Sequence, residues 1–280
     1  MLWIALALAG GVDRVPEDFP SIQAAVDEGQ GEVISVGPGR WAGARVDRPV
    51  AIEGRSGAVL DAGVRVGSLD VGLWLVEGAR GGDVRGLAFD CDGQLDGALY
   101  SGSARGGLAR DVVVEGIVAQ GCVQGISIVG PAGTRVDGDW MVVGSRFDGA
   151  RTDALRGGRG GGIGVLAYNV SGVEVVDNGF VGWSDDAVDF ASAGVVTVGC
   201  GECSVVGNRF GTKGWQWGRA SIVDAGSTVR GGLVSVDLVV ADNETRDGAW
   251  RGFGVRLFGS EGALVENNVG KVWSTAPPGP

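Results

Sequence analysis

The chain contains no histidine. That absence removes every Ser–His or Cys–His catalytic pair, every imidazole metal ligand and every imidazole general base. Any catalysis has to use carboxylates, Arg, Lys, Tyr or a bound cation. Basic runs are missing as well. Lysines are only a handful, Lys and Arg do not cluster, and the formal net charge is −11. A nucleic-acid binder needs a basic patch to neutralise phosphates, so nucleic acid is set aside as a partner. An acidic surface also repels polyanions, so an anionic substrate would need local Arg or Lys, or a bridging cation. No apolar run is long enough to span a membrane as a helix. Cysteine is sparse, at four. Cys200-Gly-Glu-Cys203 has no second Cys pair to complete a zinc site, so it reads first as a local disulfide in a turn.

Glycine is the opposite case. Fifty-five glycines accompany a hydrophobic content of 44%. That much apolar side chain argues against disorder, and the irregular glycine spacing argues against collagen. What remains is many tight turns between short buried strands, in one large all-β domain expected over residues 12–273 and as a monomer. The first nine residues are apolar and end in Ala7-Leu8-Ala9, which reads as a secretion signal with an Ala-x-Ala cleavage site, although no positive residue precedes it. The competing reading is a buried first strand. The cysteines fit an oxidising compartment, so the expected location is extracellular or the cell envelope. The Pro-rich stretch 274–280 is expected to be a disordered tail.

Ser21 is a good helix N-cap, and Ile22, Ala25 and Val26 fall on one face of a short helix expected at about 20–28. A strand, Glu32-Val33-Ile34-Ser35-Val36, follows and closes in a Pro-Gly turn. Beyond it the sequence offers no convincing helix. It offers repeats instead. Val142-Val143-Gly144-Ser145-Arg146-Phe147, Val175-Val176-Asp177-Asn178-Gly179-Phe180, Val205-Val206-Gly207-Asn208-Arg209-Phe210, Val240-Ala241-Asp242-Asn243 and Leu264-Val265-Glu266-Asn267 align. They recur at roughly thirty-residue intervals, within the range of solenoid repeats. Two or three strands per repeat are too few for a propeller blade. A stack of parallel rungs about 4.8 Å apart fits better.

Asn178, Asn208, Asn243 and Asn267 then form a structural ladder capped by Ser145. Asn tolerates left-handed turns, and its amide can bond the rungs above and below. Cys91 and Cys122 are about one repeat apart and can bridge neighbouring rungs. A second apolar strand follows each ladder turn: Gly125–Val129, Gly162–Leu166, Ala187–Phe190, Ala220–Val223 and Gly254–Phe258.

The helix Phe19-Pro-Ser-Ile-Gln-Ala-Ala-Val26 leading into Val33-Ile-Ser-Val-Gly-Pro-Gly-Arg-Trp41, with the Asn ladder, resembles the pectin-lyase-like superfamily. The resemblance implies a right-handed parallel β-helix whose open end is plugged by the short helix, and a polysaccharide groove along one sheet. The second strands and the turns leading into them are then the candidate groove wall. Trp183, Trp215, Trp217 and Trp250 fall in those turns. Flat aromatic faces suit sugar rings, although tryptophans also serve as hydrophobic lids under long turns.

Ser184-Asp185-Asp186-Ala187-Val188-Asp189 is the densest acidic cluster. Adjacent carboxylates repel, which separates acid from base and suits glycoside hydrolysis. The same three aspartates could instead hold Ca²⁺, or form a solvated acidic turn. A second resemblance, to polygalacturonases, rests on Arg151-Thr152-Asp153, Ser184-Asp185-Asp186, Trp217-Gly218 and Arg256-Leu257-Phe258. It implies that Asp185 protonates the leaving oxygen, that Asp153 and Asp186 activate water, and that Arg256 holds a sugar carboxylate. The chain departs from that family at Arg151 (Asn), Ser184 (Gly), Trp217 (His) and Phe258 (Lys). A lyase of this fold would use Asp185, Asp186 and Asp189 as Ca²⁺ ligands and Arg219, Arg256 or Lys213 as the base. The alternative to both enzymes is a non-catalytic cell-surface scaffold that binds glycans.

Overall fold

Each coil repeats one pattern: a few alternating residues bury their apolar members, then a turn with Gly, Asp or Asn redirects the chain. The computed structural model describes residues 10–92, 94–102, 106–149, 162–181, 193–211, 220–245, 253–258, 260–269 and 272–275. Among them the strands form three sheets, and successive strands visit sheets A, B and C in turn. Sheet A runs from Val12–Val15 to Leu264–Glu266, sheet B from Gly39–Ala42 to Glu244–Thr245, and sheet C from Ala44–Val46 to Val272–Thr275. Every described pairing but one is parallel; the exception is the short strand Val64–Val66 against Leu69–Leu75. The molecule is a right-handed parallel β-helix, the hand that parallel crossovers take almost without exception.

Parallel in-register stacking places like side chains above one another. The inward column of sheet A runs Ile34, Ile52, Val84, Val114, Val142, Val175, Val205 and Val240. In sheet B, Phe147, Phe180 and Phe210 stack with centroids 5.0 and 4.9 Å apart. All are buried. Strands buried this way need no single strong propensity; the interior column supplies the stabilisation.

The helix forms over Ile22–Glu28, with the Ser21 hydroxyl accepting from Ala24 N–H at 3.1 Å. Its buried face is Ile22, Ala25 and Val26. Gln23 bonds the first strand of sheet C edge-on: its Oε1 accepts from Arg45 N–H at 2.8 Å and its Nε2 donates to Arg45 O at 3.3 Å. The helix therefore occupies the edge-strand hydrogen-bonding groups that would otherwise be unpaired at that end. Arg48 donates to Ala25 O and Val26 O, satisfying carbonyls at the helix C-terminus.

The Asn column is built as follows. Asn178 Oδ1 accepts from Ser145 N–H at 2.9 Å, Asn208 Oδ1 from Asn178 N–H at 2.9 Å, and Asn243 Oδ1 from Asn208 N–H at 3.0 Å. Each Nδ2 donates to a carbonyl of the preceding coil: Val142, Val175 and Val205. Ser145 ends the column by accepting from Ile117 N–H. The fourth Asn is Asn268, not Asn267. Asn268 Oδ1 accepts from Asn243 N–H at 3.1 Å, while Asn267 is exposed and left-handed at φ 53°. The reason is register: Val240 pairs with Val265 and Ala241 with Glu266, which aligns Asn267 with Asp242. The left-handed position is the residue before each ladder Asn, as at Asp177, Gly207 and Asp242. Asn178, Asn208, Asn243 and Asn268 are not themselves left-handed, so their role is hydrogen bonding and not turn strain.

Two disulfides are present. Cys91–Cys122 joins adjacent coils of sheet B, and Cys200–Cys203 closes a tight turn. The last strand carries Ser274 and Thr275 into sheet C opposite Leu257 and Phe258. Ser274 and Thr275, expected in the tail, belong to this strand; residues 276–280 lie outside the described set. The expected signal, residues 1–9, does too.

Candidate functional site

Four long connections run from sheet B to sheet C in the C-terminal half. The chain leaves sheet B at Gly149, Val181, Gly211 and Thr245 and enters sheet C at Ile163, Ala193, Ala220 and Phe253. Both ends of each connection are in register with the next coil: Asp148 pairs with Val181, Val181 with Gly211, Ile163 with Ala193 and Ala220 with Phe253. The residues singled out from the sequence fall in these four segments, Arg256 excepted. Asp153, Trp183, Asp185, Asp186, Asp189, Trp215, Trp217, Arg219 and Trp250, with Arg151 and Lys213, lie outside the described residues.

The expected strand Ala187–Phe190 lies outside the described residues. The strand that pairs with Ile163–Tyr168 and Ala220–Asp224 is Ala193–Val198, all six of whose residues are buried.

The outer face of sheet C would floor a groove. Its central column, read through the pairings, is Arg45, Trp74, Tyr100, Ser127, Leu166, Val196, Val223 and Arg256. The two halves differ. Ala193, Val196, Val198, Val223 and Ala225 form a second apolar cluster, each no more than 4% exposed, flanked by Leu166, Tyr168, Val229 and Phe258. This stretch of the face is dry. Arg256 stands at its end, half-buried, with its guanidinium 4.6 Å from the Phe258 ring centroid. Its aliphatic stem and flat head pack on an aromatic neighbour, a usual arrangement for Arg. In the N-terminal half Arg45, Trp74 and Tyr100 remain half-exposed.

Sequence reading passed over Asp224. Its side chain points inward and is fully buried. Its carboxylate accepts from Thr197 Oγ1 at 3.0 Å, from Ser235 Oγ at 2.6 Å and from Ser260 Oγ. Three hydroxyls thus satisfy a carboxylate inside an apolar column, as a buried charge requires. An Asp at an inward position of Ala220-Ser-Ile-Val-Asp224 was the available signal.

Most other described ionic contacts are on the surface, the part-buried Arg48–Asp13 pair apart. Arg40 bridges Asp61 at 2.5 Å and Asp90 at 2.7 Å across sheet B, and those bonds raise the pKa of its guanidinium. The Arg55 side chain holds the Glu17 carboxyl below the usual carboxylate range by hydrogen bonding to it. Among the described residues no three metal-ligating side chains converge. No described helix is long and apolar enough to cross a membrane.

No family model matches the chain, and no curated protein matches it by sequence. Solved structures do. Two structures of PfbA, a surface adhesin of Streptococcus pneumoniae, share the architecture. One is 12% identical with a TM-score of 0.50, covering 91% of this chain and 90% of PfbA. The other is 14% identical with a TM-score of 0.51, covering 95% and 89%. Identity this low speaks to the fold alone, and the fold defines the class: a parallel β-helix over nearly the full length of both chains.

Proposed function

We propose that this is a secreted, pectin-lyase-like β-helix protein that contacts polysaccharide along the sheet C side. One observation carries the reading. The three connections that hold Trp183, Trp215, Trp217 and Trp250 begin and end on successive, mutually paired coils. Aromatic residues delivered at a repeat of about 4.8 Å per coil suit a polymer lying along the solenoid. The two disulfides support an oxidising compartment.

The second reading is catalytic. Asp153 and the Asp185–Asp186 pair belong to consecutive connections whose two ends are paired across one coil step. That supports an acid–base set drawn from two neighbouring coils, with Asp189 joining Asp185 and Asp186 if the group that completes the site is Ca²⁺.

The test is a panel of uronate and neutral polysaccharides, with and without Ca²⁺, using the wild-type chain and Asp185→Asn and Asp186→Asn. Retention of a polysaccharide with no new ends supports the binding protein. Unsaturated products that need Ca²⁺ establish a lyase, and reducing ends without unsaturation a hydrolase. Neither retention nor cleavage on any member overturns the proposal.

A further inference from the structure

Away from those connections, the N-terminal coils carry a second strip. Arg45, Trp74 and Tyr100 pair on three successive parallel strands and share the outer face of sheet C. The Arg45 guanidinium lies 5.4 Å from the Trp74 ring centroid. It also bonds Asp47 at 2.8 Å, with both side chains more than 40% exposed. The next coil adds Ser127, which donates to Gln124 Oε1 at 2.8 Å. Indole, phenol and guanidinium groups in one column are the chemistry that recognises a pyranose: apolar ring faces flanked by hydrogen-bonding edges. Farther along the same column the corresponding residues are Val196 and Val223, which are dry and aliphatic.

We infer that Arg45, Trp74 and Tyr100 form a separate pyranose-binding platform on the N-terminal coils, with Trp74 as its centre. The inference deepens the polysaccharide reading and rests on it. The experiment measures binding of polygalacturonate and of dextran to the full chain and to Trp74→Phe, Trp74→Ala and Arg45→Gln, with thermal melting of each. ¹⁵N-labelled tryptophan supplies an independent signal, the Trp74 indole N–H being the one missing from Trp74→Phe. The platform predicts that one of the probes shifts that signal. It also predicts binding at least tenfold weaker in Trp74→Ala and severalfold weaker in Arg45→Gln, at unchanged melting temperature for Arg45→Gln. Wild-type binding that both Trp74→Phe and Arg45→Gln retain in full, with no shift of the Trp74 signal, overturns the platform and leaves polysaccharide contact through the long connections standing. Failure of the wild type to bind either probe overturns the platform, while the wider polysaccharide panel decides the parent reading.

Discussion

Replacing Asn208 with Ala removes the best-connected rung of the ladder. The Asn208 side chain accepts from Asn178 N–H at 2.9 Å and Asn178 Nδ2 at 3.1 Å, and it donates to Val175 O at 2.8 Å, Val206 O at 3.1 Å and Asn243 Oδ1 at 3.0 Å. Asn178, Asn208 and Asn243 are all at most 4% exposed, so water cannot take over these bonds. Each buried group left without a partner costs about 1–3 kcal/mol. With the Asn178 N–H and the Val175 carbonyl both orphaned, and a small void added, the loss is about 3–5 kcal/mol. Ser145→Ala orphans chiefly Ile117 N–H, bonded at 3.2 Å, for about 1–2 kcal/mol. Asn268→Ala removes bonds at the half-exposed end of the column, where water substitutes, for about 1 kcal/mol. Asn267→Gly should be close to neutral, since glycine takes its left-handed backbone without strain. Urea unfolding followed by far-UV circular dichroism ranks the four variants. Equal midpoints for Asn208→Ala and Ser145→Ala would refute the ladder as a load carried by bonds on both sides. An Asn267→Gly variant as damaged as Asn208→Ala would refute the register.

Three more outcomes are expected. Gly207→Ala should lower stability by roughly 1–3 kcal/mol, because its φ of 69° is left-handed and the new Cβ would collide with Asp177 Oδ1; Asp177→Gly in the same chain should restore part of the loss in thermal melts. Reducing Cys91–Cys122, as a double Ser variant, should destabilise by about 3–4 kcal/mol, and the Cys200–Cys203 pair by only about 1.5–2 kcal/mol, since the loops closed span 31 and 3 residues; equal losses would contradict the loop-length account. The Arg55 bond depresses the folded-state pKa of Glu17, so its stabilisation is present at neutral pH and lost as pH falls through and below the usual carboxylate range. The melting-temperature difference between wild type and Glu17→Gln should therefore shrink in acid, and a difference that grows there would reverse the assignment.

Much of the architecture could be read before any coordinates. Ser21 and the Ile22, Ala25, Val26 spacing mark the helix; the Val-Val-x-Asn-x-Phe units mark the coils; the Cys91 to Cys122 separation marks neighbouring coils. Each of these depends on local chemistry or on a period, and both survive in the linear sequence. Asn178, Asn208 and Asn243 follow from the same logic.

Tertiary structure decided what local chemistry leaves degenerate. Two adjacent asparagines, Asn267 and Asn268, are equivalent by composition, and only the pairing of Val240 with Val265 selects the second. The strand after the acidic cluster begins at Ala193, six residues beyond Ala187, because the partners of Ile163 and Ile222 lie about thirty residues away and not beside it. The dry half of sheet C, the half-exposed Arg45, Trp74 and Tyr100, and the inward Asp224 likewise depend on which coil lies above which. In a parallel stack the turns vary in length while the rungs keep their spacing, so the sequence by itself determined the repeating unit, and the contacts between coils determined which residue stands at each place in it.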